Sequence, residues 1–227
     1  MQRRLFFLTT SLLCAAIAWG QGSYKLQTGG AAVASQIPSS IKSALEPHGD
    51  ILTNSQGSPV CEIWWRKDIP EQKNPAASGD ILYGQLSVGE LLGVLRFPKA
   101  AKDYRGQAIQ PGYYTLRYAL IPQDGNHMGV STYRDFVLLI PIAGDPGPSE
   151  DMTFAALVKA SRMATSAGHP AVLMADPALQ DPSATYPSAT QDDQGNWALN
   201  VKLDTASGRQ PQPLTFALIL VGQYQAQ

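Results

Sequence analysis

The stretch that decides the fold is residues 109–121, which read IQPGYYTLRYALI. The Pro111-Gly112 pair favours a turn, and apolar residues then occupy every second position, which places them on one face of a strand. These are Tyr114, Leu116, Tyr118 and Leu120, while Thr115 and Arg117 take the opposite face. The alternation predicts one long β-strand.

A second strand follows this one after a turn. Residues 122–129 read PQDGNHMG, a cluster of turn-forming residues. Residues 136–140 read FVLLI, and so short a continuous apolar run predicts a central strand buried on both faces. We expect the two strands to pair as an antiparallel hairpin in the middle of the core.

The same signals continue on both sides of this hairpin. Strands are predicted at 51–53, 60–66, 81–86, 91–97, 171–174, 197–203 and 214–221. A short helix carries Ile37, Ile41 and Leu45 at a spacing of four residues, and residues 151–166 predict a second helix with Ser149 as its N-cap. The pattern predicts a mainly β chain, an antiparallel β-sandwich of jelly-roll or immunoglobulin-like type with two short helices. An open barrel is the alternative.

The first 20 residues predict export. Arg3 and Arg4 precede an apolar run, and Ala18 and Gly20 are small residues at the positions where a signal peptidase would cut. We expect a secretory signal peptide at 1–20, a flexible segment at 21–34 and a single β-sandwich domain at 35–227. The apolar run is short for a bilayer span, so no stable membrane span is expected after cleavage, although an uncleaved anchor is the alternative. The expected location is the periplasm or the extracellular space.

The charge and cysteine content narrow the class of protein. Lys and Arg number 17 against 18 Asp and Glu, so no basic footprint for nucleic acid is present. Cys61 is the single cysteine after the predicted cleavage point and therefore has no partner for an internal disulfide. We expect it to be a small buried residue in an apolar strand.

One turn carries candidate metal ligands. Asp124 and His127 lie in the predicted turn, and Asp135 begins the next strand. Carboxylate and imidazole groups that converge on one point bind metal ions, but Asp and Asn are also what a tight turn requires. No cofactor is predicted.

Four further residues are candidates for ligand binding: Trp64, Arg117, Tyr133 and Arg134. Charged residues within apolar strands must be paired or exposed, so the two arginines with Asp135 predict either salt bridges on a sheet face or a polar ligand pocket. Trp64 and Tyr133 predict either ordinary packing or part of an aromatic platform for sugars or peptides.

Two segments carry a resemblance to a known group. Residues 109–118 (IQPGYYTLRY) and 133–139 (YRDFVLL) are similar to segments of uncharacterised exported bacterial β-proteins, and the Pro-Gly-x-Tyr-x-Leu turn resembles one in DUF2911-type proteins. The resemblance implies export and a β-fold. It implies no catalytic residue.

Three hypotheses of function remain from the sequence. The chain lacks Gly-x-Ser-x-Gly and Cys-x-x-Cys motifs, which favours a non-catalytic binding or structural module of the cell envelope, with an envelope protein or polysaccharide as partner. The second hypothesis is a metal- or carboxylate-dependent hydrolase that acts on an envelope polymer. The third is an envelope assembly subunit whose exposed strand edge pairs with a partner.

Overall fold

The computed structural model describes residues 23–32, 34–73, 75, 79–124, 131–206 and 212–223. The strands of these residues are β1 (Lys25–Thr28), β2 (Asp50–Thr53), β3 (Pro59–Trp65), β4 (Ile69–Pro70), β5 (Leu91–Phe97), β6 (Ala101–Lys102), β7 (Ala108–Ile109), β8 (Gly112–Leu120), β9 (Asp135–Pro141), β10 (Val172–Asp176), β11 (Ser188–Gln191), β12 (Trp197–Ala206) and β13 (Gln212–Val221). The helices are α1 (Ser39–Ser43) and α2 (Phe154–Ser161), with 3-10 turns at Ile142–Gly144 and Arg162–Ala164. Strands predominate, which confirms the mainly β prediction.

One large sheet contains most of the strands. Its order is β1-β2-β3-β5-β8-β9-β10-β13-β12-β11, and β4 lies off this path against β12. All pairs along the path are antiparallel, and the β4–β12 pair is parallel. The sheet curls back on itself. Its curl brings Trp65 of β3 edge-on to Phe216 of β13, with 6.1 Å between ring centroids, although several strands lie between β3 and β13 in the strand order. β6 and β7 form a separate small sheet.

The predicted central hairpin is confirmed. β8 pairs with β9 from Tyr114 opposite Pro141 to Leu120 opposite Asp135. The inward side of β8 joins the large apolar cluster inside the curl, which includes Leu116 and Tyr118. Helices cover the outer side of the sheet, which is why β9 is apolar on both faces.

Two short helices provide that cover. Leu157 of α2 packs on the outer face of β9, in one cluster with Leu138 and Ile140. Ile41 of α1 packs with Trp64 and Val94 on the outer face of β3 and β5. Both helices are too short to be stable alone, so their burial on the sheet stabilises them.

The second helix begins later than predicted. Thr153 is the N-cap of α2, and its hydroxyl accepts a hydrogen bond from the backbone N–H of Ala156 at 3.3 Å. The prediction that Ser149 caps this helix is wrong, because Gly147 and Pro148 are held against the sheet by arginine side chains through their carbonyl oxygens.

Strand predictions fail where the pattern is weakest. Residues 81–86 are not a strand but a series of turns. The backbone N–H groups of Leu82 and Tyr83 donate to the Asp135 carboxylate. Conversely, β1 lies within the segment predicted to be flexible, and β11 lies between two predicted strands, where no strand is predicted. Both are short, polar strands at the ends of the sheet. An end strand pairs with a single neighbour and need not bury a face, so its sequence shows no alternation of apolar residues.

Gly93 in β5 allows two backbones to approach closely. A Cβ at this position would overlap the carbonyl oxygen of Trp64 and lie 3.1 Å from the Cα of Trp65. We expect Gly93→Ala to lower the free energy of unfolding by about 2 kcal/mol or more, because a backbone cannot move aside as a side chain can. Urea denaturation of Gly93→Ala beside Gly30→Ala tests this, since open space surrounds Gly30. Equal stability of the two variants would contradict the expectation.

Candidate functional site

Arg117 lies on the outer face of β8 and is only 1 % exposed. Its Nε and Nη2 atoms donate to the two carboxylate oxygens of Asp145, at 2.8 and 2.5 Å. Its Nη1 donates to the carbonyl oxygen of Gly89 at 2.8 Å, and Nη2 also donates to that of Gly147 at 2.6 Å. Thr115 donates a further hydrogen bond to Asp145 at 2.5 Å. The guanidinium therefore joins the sheet to two loops and uses its donors inside the protein.

Asp135 lies at the start of β9 and is fully buried. Its carboxylate accepts hydrogen bonds from the backbone N–H groups of Leu82 and Tyr83, at 2.8 and 2.9 Å, and from the Tyr118 hydroxyl at 2.6 Å. Burial raises the pKa of the Tyr118 hydroxyl, and the carboxylate raises it further, so this phenol remains a donor. Asp135 thereby fixes residues 82–83 against the hairpin.

Tyr83 extends this buried polar network. Its hydroxyl donates to the carbonyl oxygen of Asp176 in β10 at 2.5 Å and accepts from the backbone N–H of Ala217 in β13 at 3.0 Å. The ladder between β10 and β13 contains only two residue pairs. The phenol therefore adds a side-chain bridge where two parts of the curled sheet join.

The candidate metal ligands differ in their surroundings. Asp124 is exposed and Asp135 is buried, while His127 lies outside the described residues. Among the side chains that the structure describes, no group of three or more His, Cys, Asp or Glu is placed to hold a metal ion. The observed role of Asp135 is to accept hydrogen bonds that shape the fold.

The candidate ligand-binding residues do not come together. Trp64 is 3 % exposed, and its Nε1 donates to the carbonyl oxygen of Gly30 at 2.8 Å. Tyr133 and Arg134 precede β9 at the opposite end of the hairpin, where the Nε of Arg134 donates to the carbonyl oxygen of Ile121 at 2.8 Å. Arg117 pairs with Asp145 rather than with Asp135.

A different set of residues lines up on the outside of the sheet. Strand register places five side chains directly opposite one another across β1, β2, β3, β5 and β8. We call them the outer row: Gln27, Ile51, Glu62, Arg96 and Tyr113. All five are at least partly exposed.

Contacts within the outer row are polar and aromatic. Arg96 lies 3.4 Å from the Glu62 carboxylate, and its guanidinium carbon lies 5.9 Å from the centre of the Tyr113 ring. Tyr113 also stacks against Trp64, with 6.4 Å between ring centroids and 27° between ring planes. The Arg96 side chain is 43 % exposed. The Glu62 side chain is 15 % exposed, and both Arg96 and Trp64 border the Tyr113 ring, so the Arg96 side chain is more exposed than the carboxylate it pairs with.

The N-terminal segment covers the row of residues next to the outer row but leaves the outer row partly exposed. Trp64 and Val94 lie two residues along their strands from the outer row, on the same face of the sheet. They are buried with Ile37 and Ile41. Residues 29–32 and 34–43 thus cover the sheet beside the outer row, and Gly29, at the edge of this cover, lies beside the Glu62 carboxylate. No motif in the sequence indicates this arrangement, because only strand register aligns the five residues.

Cys61 is fully buried in β3, as the sequence predicted. Burial raises the pKa of its thiol to about 12. At about pH 8 only about one thiol in ten thousand is then ionised, and the thiolate is the reactive form. We expect the chain from residue 21 onward to resist Ellman's reagent when folded and to release one equivalent of chromophore in urea. Rapid labelling of the folded protein would contradict this, and Cys61→Ser is the blank.

The chain matches no family model, and no curated protein or solved structure is significantly similar to it. Within the described part of the chain, no helix has the length and apolar character needed to cross a membrane.

Proposed function

We propose that this protein is an exported, non-catalytic module of the cell envelope that binds an envelope polysaccharide or protein. The proposal rests on the observation that the buried charged side chains hydrogen-bond within the protein. Arg117, Asp145 and Asp135 hold loops to the sheet through hydrogen bonds within the chain. Their donors and acceptors serve the fold, which leaves the surface to make contacts with a partner.

Export is proposed from residues 1–20, which lie outside the described residues. Their charged start, apolar run and small residues at the cleavage point support a signal peptide. The local resemblance to exported DUF2911-type proteins favours the same compartment.

The finer architecture is also proposed. We infer that the curled sheet is a β-sandwich, in which β3 and β13 lie on facing layers. The Trp65–Phe216 contact and a 4.6 Å approach of the Tyr83 and Phe216 rings support this, since both join side chains across the interior. Aligned sheets pack through such interdigitated side chains.

An assembly subunit is the second candidate function. β1 and β11 end the large sheet, each with one hydrogen-bonded neighbour in the described structure. Strand edges of this kind pair with strands from other chains. A strictly monomeric protein in sedimentation, both alone and with envelope extract, would count against this candidate.

Native mass spectrometry of the protein from its own envelope fraction tests the proposal. We expect a chain that lacks residues 1–20 and carries no metal ion. A chain that retains these residues would overturn export by cleavage. A bound metal that is lost in His127→Ala, with turnover of an envelope polymer, would overturn the non-catalytic role and establish the hydrolase hypothesis.

A further inference from the structure

We propose that a basic patch on the outside of this protein docks it on an anionic phospholipid surface. The inference rests on the proposed export, which brings the chain to a membrane, and it adds a second contact to the proposed envelope role. Five exposed cations make up the basic patch: Lys99, Lys102, Arg105, Lys159 and Arg162.

The fold brings the cations of two distant segments together. Three of them belong to the small β6–β7 sheet and its flanking residues, and two lie at the C-terminal end of α2. Ile109 of β7 forms an isolated bridge with Thr165, and the backbone N–H of Tyr104 donates to the carbonyl oxygen of Val172 at 2.9 Å. The Tyr104 ring packs against the apolar cluster that contains Leu157 of α2. The small sheet is therefore fixed beside the basic end of the helix.

The exposed charges of these two segments are all positive. Residues 98–112 contain one acid, Asp103, and residues 153–175 contain none. Asp103 is fully buried, and its carboxylate accepts four hydrogen bonds from N–H groups of the protein. Glu150 and Asp151 lie before α2, about 12 Å along the helix axis from its basic end. That distance exceeds the Debye length of about 10 Å at 0.1 M salt.

One neighbouring turn carries exposed acids. The turn between β11 and β12 lies next to the end of β13, and Gln223 after β13 lies beside Gly106 in the turn of the small sheet. Asp192 and Asp193 of the β11–β12 turn are exposed. Five cations less these two acids leave three positive charges, on a chain whose total charge is −1. Such an asymmetry attracts an anionic partner.

An exposed methionine favours a lipid surface over a soluble polyanion. Met163 is 78 % exposed, more than any other large apolar side chain in the described part of the protein. It follows Arg162 directly and lies four residues after Lys159. A soluble polyanion offers nothing apolar to a thioether, whereas the boundary between headgroups and acyl chains accepts apolar side chains while anionic headgroups attract cations. The aliphatic parts of Lys and Arg side chains also lie along such a boundary.

Sedimentation with lipid vesicles tests the inference on the chain from residue 21 onward, because the apolar run in 1–20 would bind lipid by itself. We expect binding to vesicles in which about a third of the lipid is phosphatidylglycerol, and none to vesicles of phosphatidylcholine alone. Binding should disappear at about 1 M salt, where the Debye length is about 3 Å.

Two double variants test whether the basic patch makes the contact. Arg105→Gln/Arg162→Gln should lower the partition coefficient about 25-fold, because each cation close to an anionic surface contributes about fivefold. Lys67→Gln/Lys202→Gln removes the same charge at exposed positions outside the patch, and should change the partition coefficient by less than about threefold. Thermal unfolding of each variant establishes that it is folded.

A further variant separates lipid from a soluble polyanion. Met163→Gln keeps the charge and should weaken vesicle binding about threefold or more, but should leave binding of inorganic polyphosphate unchanged. Absence of binding to anionic vesicles, equal losses in the two double variants, or binding of polyphosphate without binding of vesicles would each overturn the inference. None of these results bears on the proposed function, which fails instead if the envelope protein retains residues 1–20 or degrades an envelope polymer.

Discussion

Replacement of Arg117 by methionine is expected to lower the free energy of unfolding by about 3–5 kcal/mol. The change leaves the Asp145 carboxylate buried without its bidentate partner, and removes the guanidinium donor from the carbonyl oxygens of Gly89 and Gly147. A buried charge without compensation is far more costly than the loss of an exposed pair. Urea denaturation followed by tryptophan fluorescence measures the difference.

The more exposed ion pair between Arg96 and Glu62 provides the control for this prediction. Arg96→Ala removes the Glu62 partner at the surface and should cost less than about 1 kcal/mol. The double variant Arg117→Met/Asp145→Leu removes both buried charges and should recover part of the loss. A single Arg117→Met variant as stable as Arg96→Ala would show that the buried network does not hold the 145–148 loop.

Asp135→Ala is expected to lower the free energy of unfolding by about 3 kcal/mol or more, because three donors, two of them fully buried, lose one acceptor together. These donors are the N–H groups of Leu82 and Tyr83 and the hydroxyl of Tyr118. Residues 82–83 should detach from the hairpin first. Hydrogen exchange should therefore show early loss of protection at these amides, along with the lower unfolding midpoint in urea.

This variant also separates the structural role of Asp135 from its predicted metal role. An exposed loop acid, Asp193, provides the control, and Asp193→Ala should change stability by less than about 0.5 kcal/mol. If Asp135 were instead a metal ligand that destabilises the metal-free fold, its replacement would have the opposite effect on stability. Asp135→Ala would then keep or raise the stability of the metal-free protein and abolish metal binding, which would contradict the structural role.

The outcome for Arg117 shows what a sequence pattern can and cannot reveal about a site. An arginine inside an apolar strand must have a partner, so its involvement in a polar network could be predicted. Its partner could not, because Asp145 lies in a loop after the next strand. The position of Asp135 at a strand start could also be predicted, but two of its three donors, the N–H groups of Leu82 and Tyr83, lie in the segment 81–86 that the pattern predicts to be a strand. A contact between side chains that are distant in the sequence produces no local pattern of residues from which it could be predicted.

The sequence by itself determined the mainly β class and the central β8–β9 hairpin, because the alternation in 109–121 and the apolar run in 136–140 are local consequences of which faces are buried. Only the tertiary structure decided the curl of the sheet, the weakly patterned strands β1 and β11, and the outer row. The physical reason is that strand register depends on contacts between distant segments. Gln27, Glu62, Arg96 and Tyr113 acquire their common position only when five strands have paired.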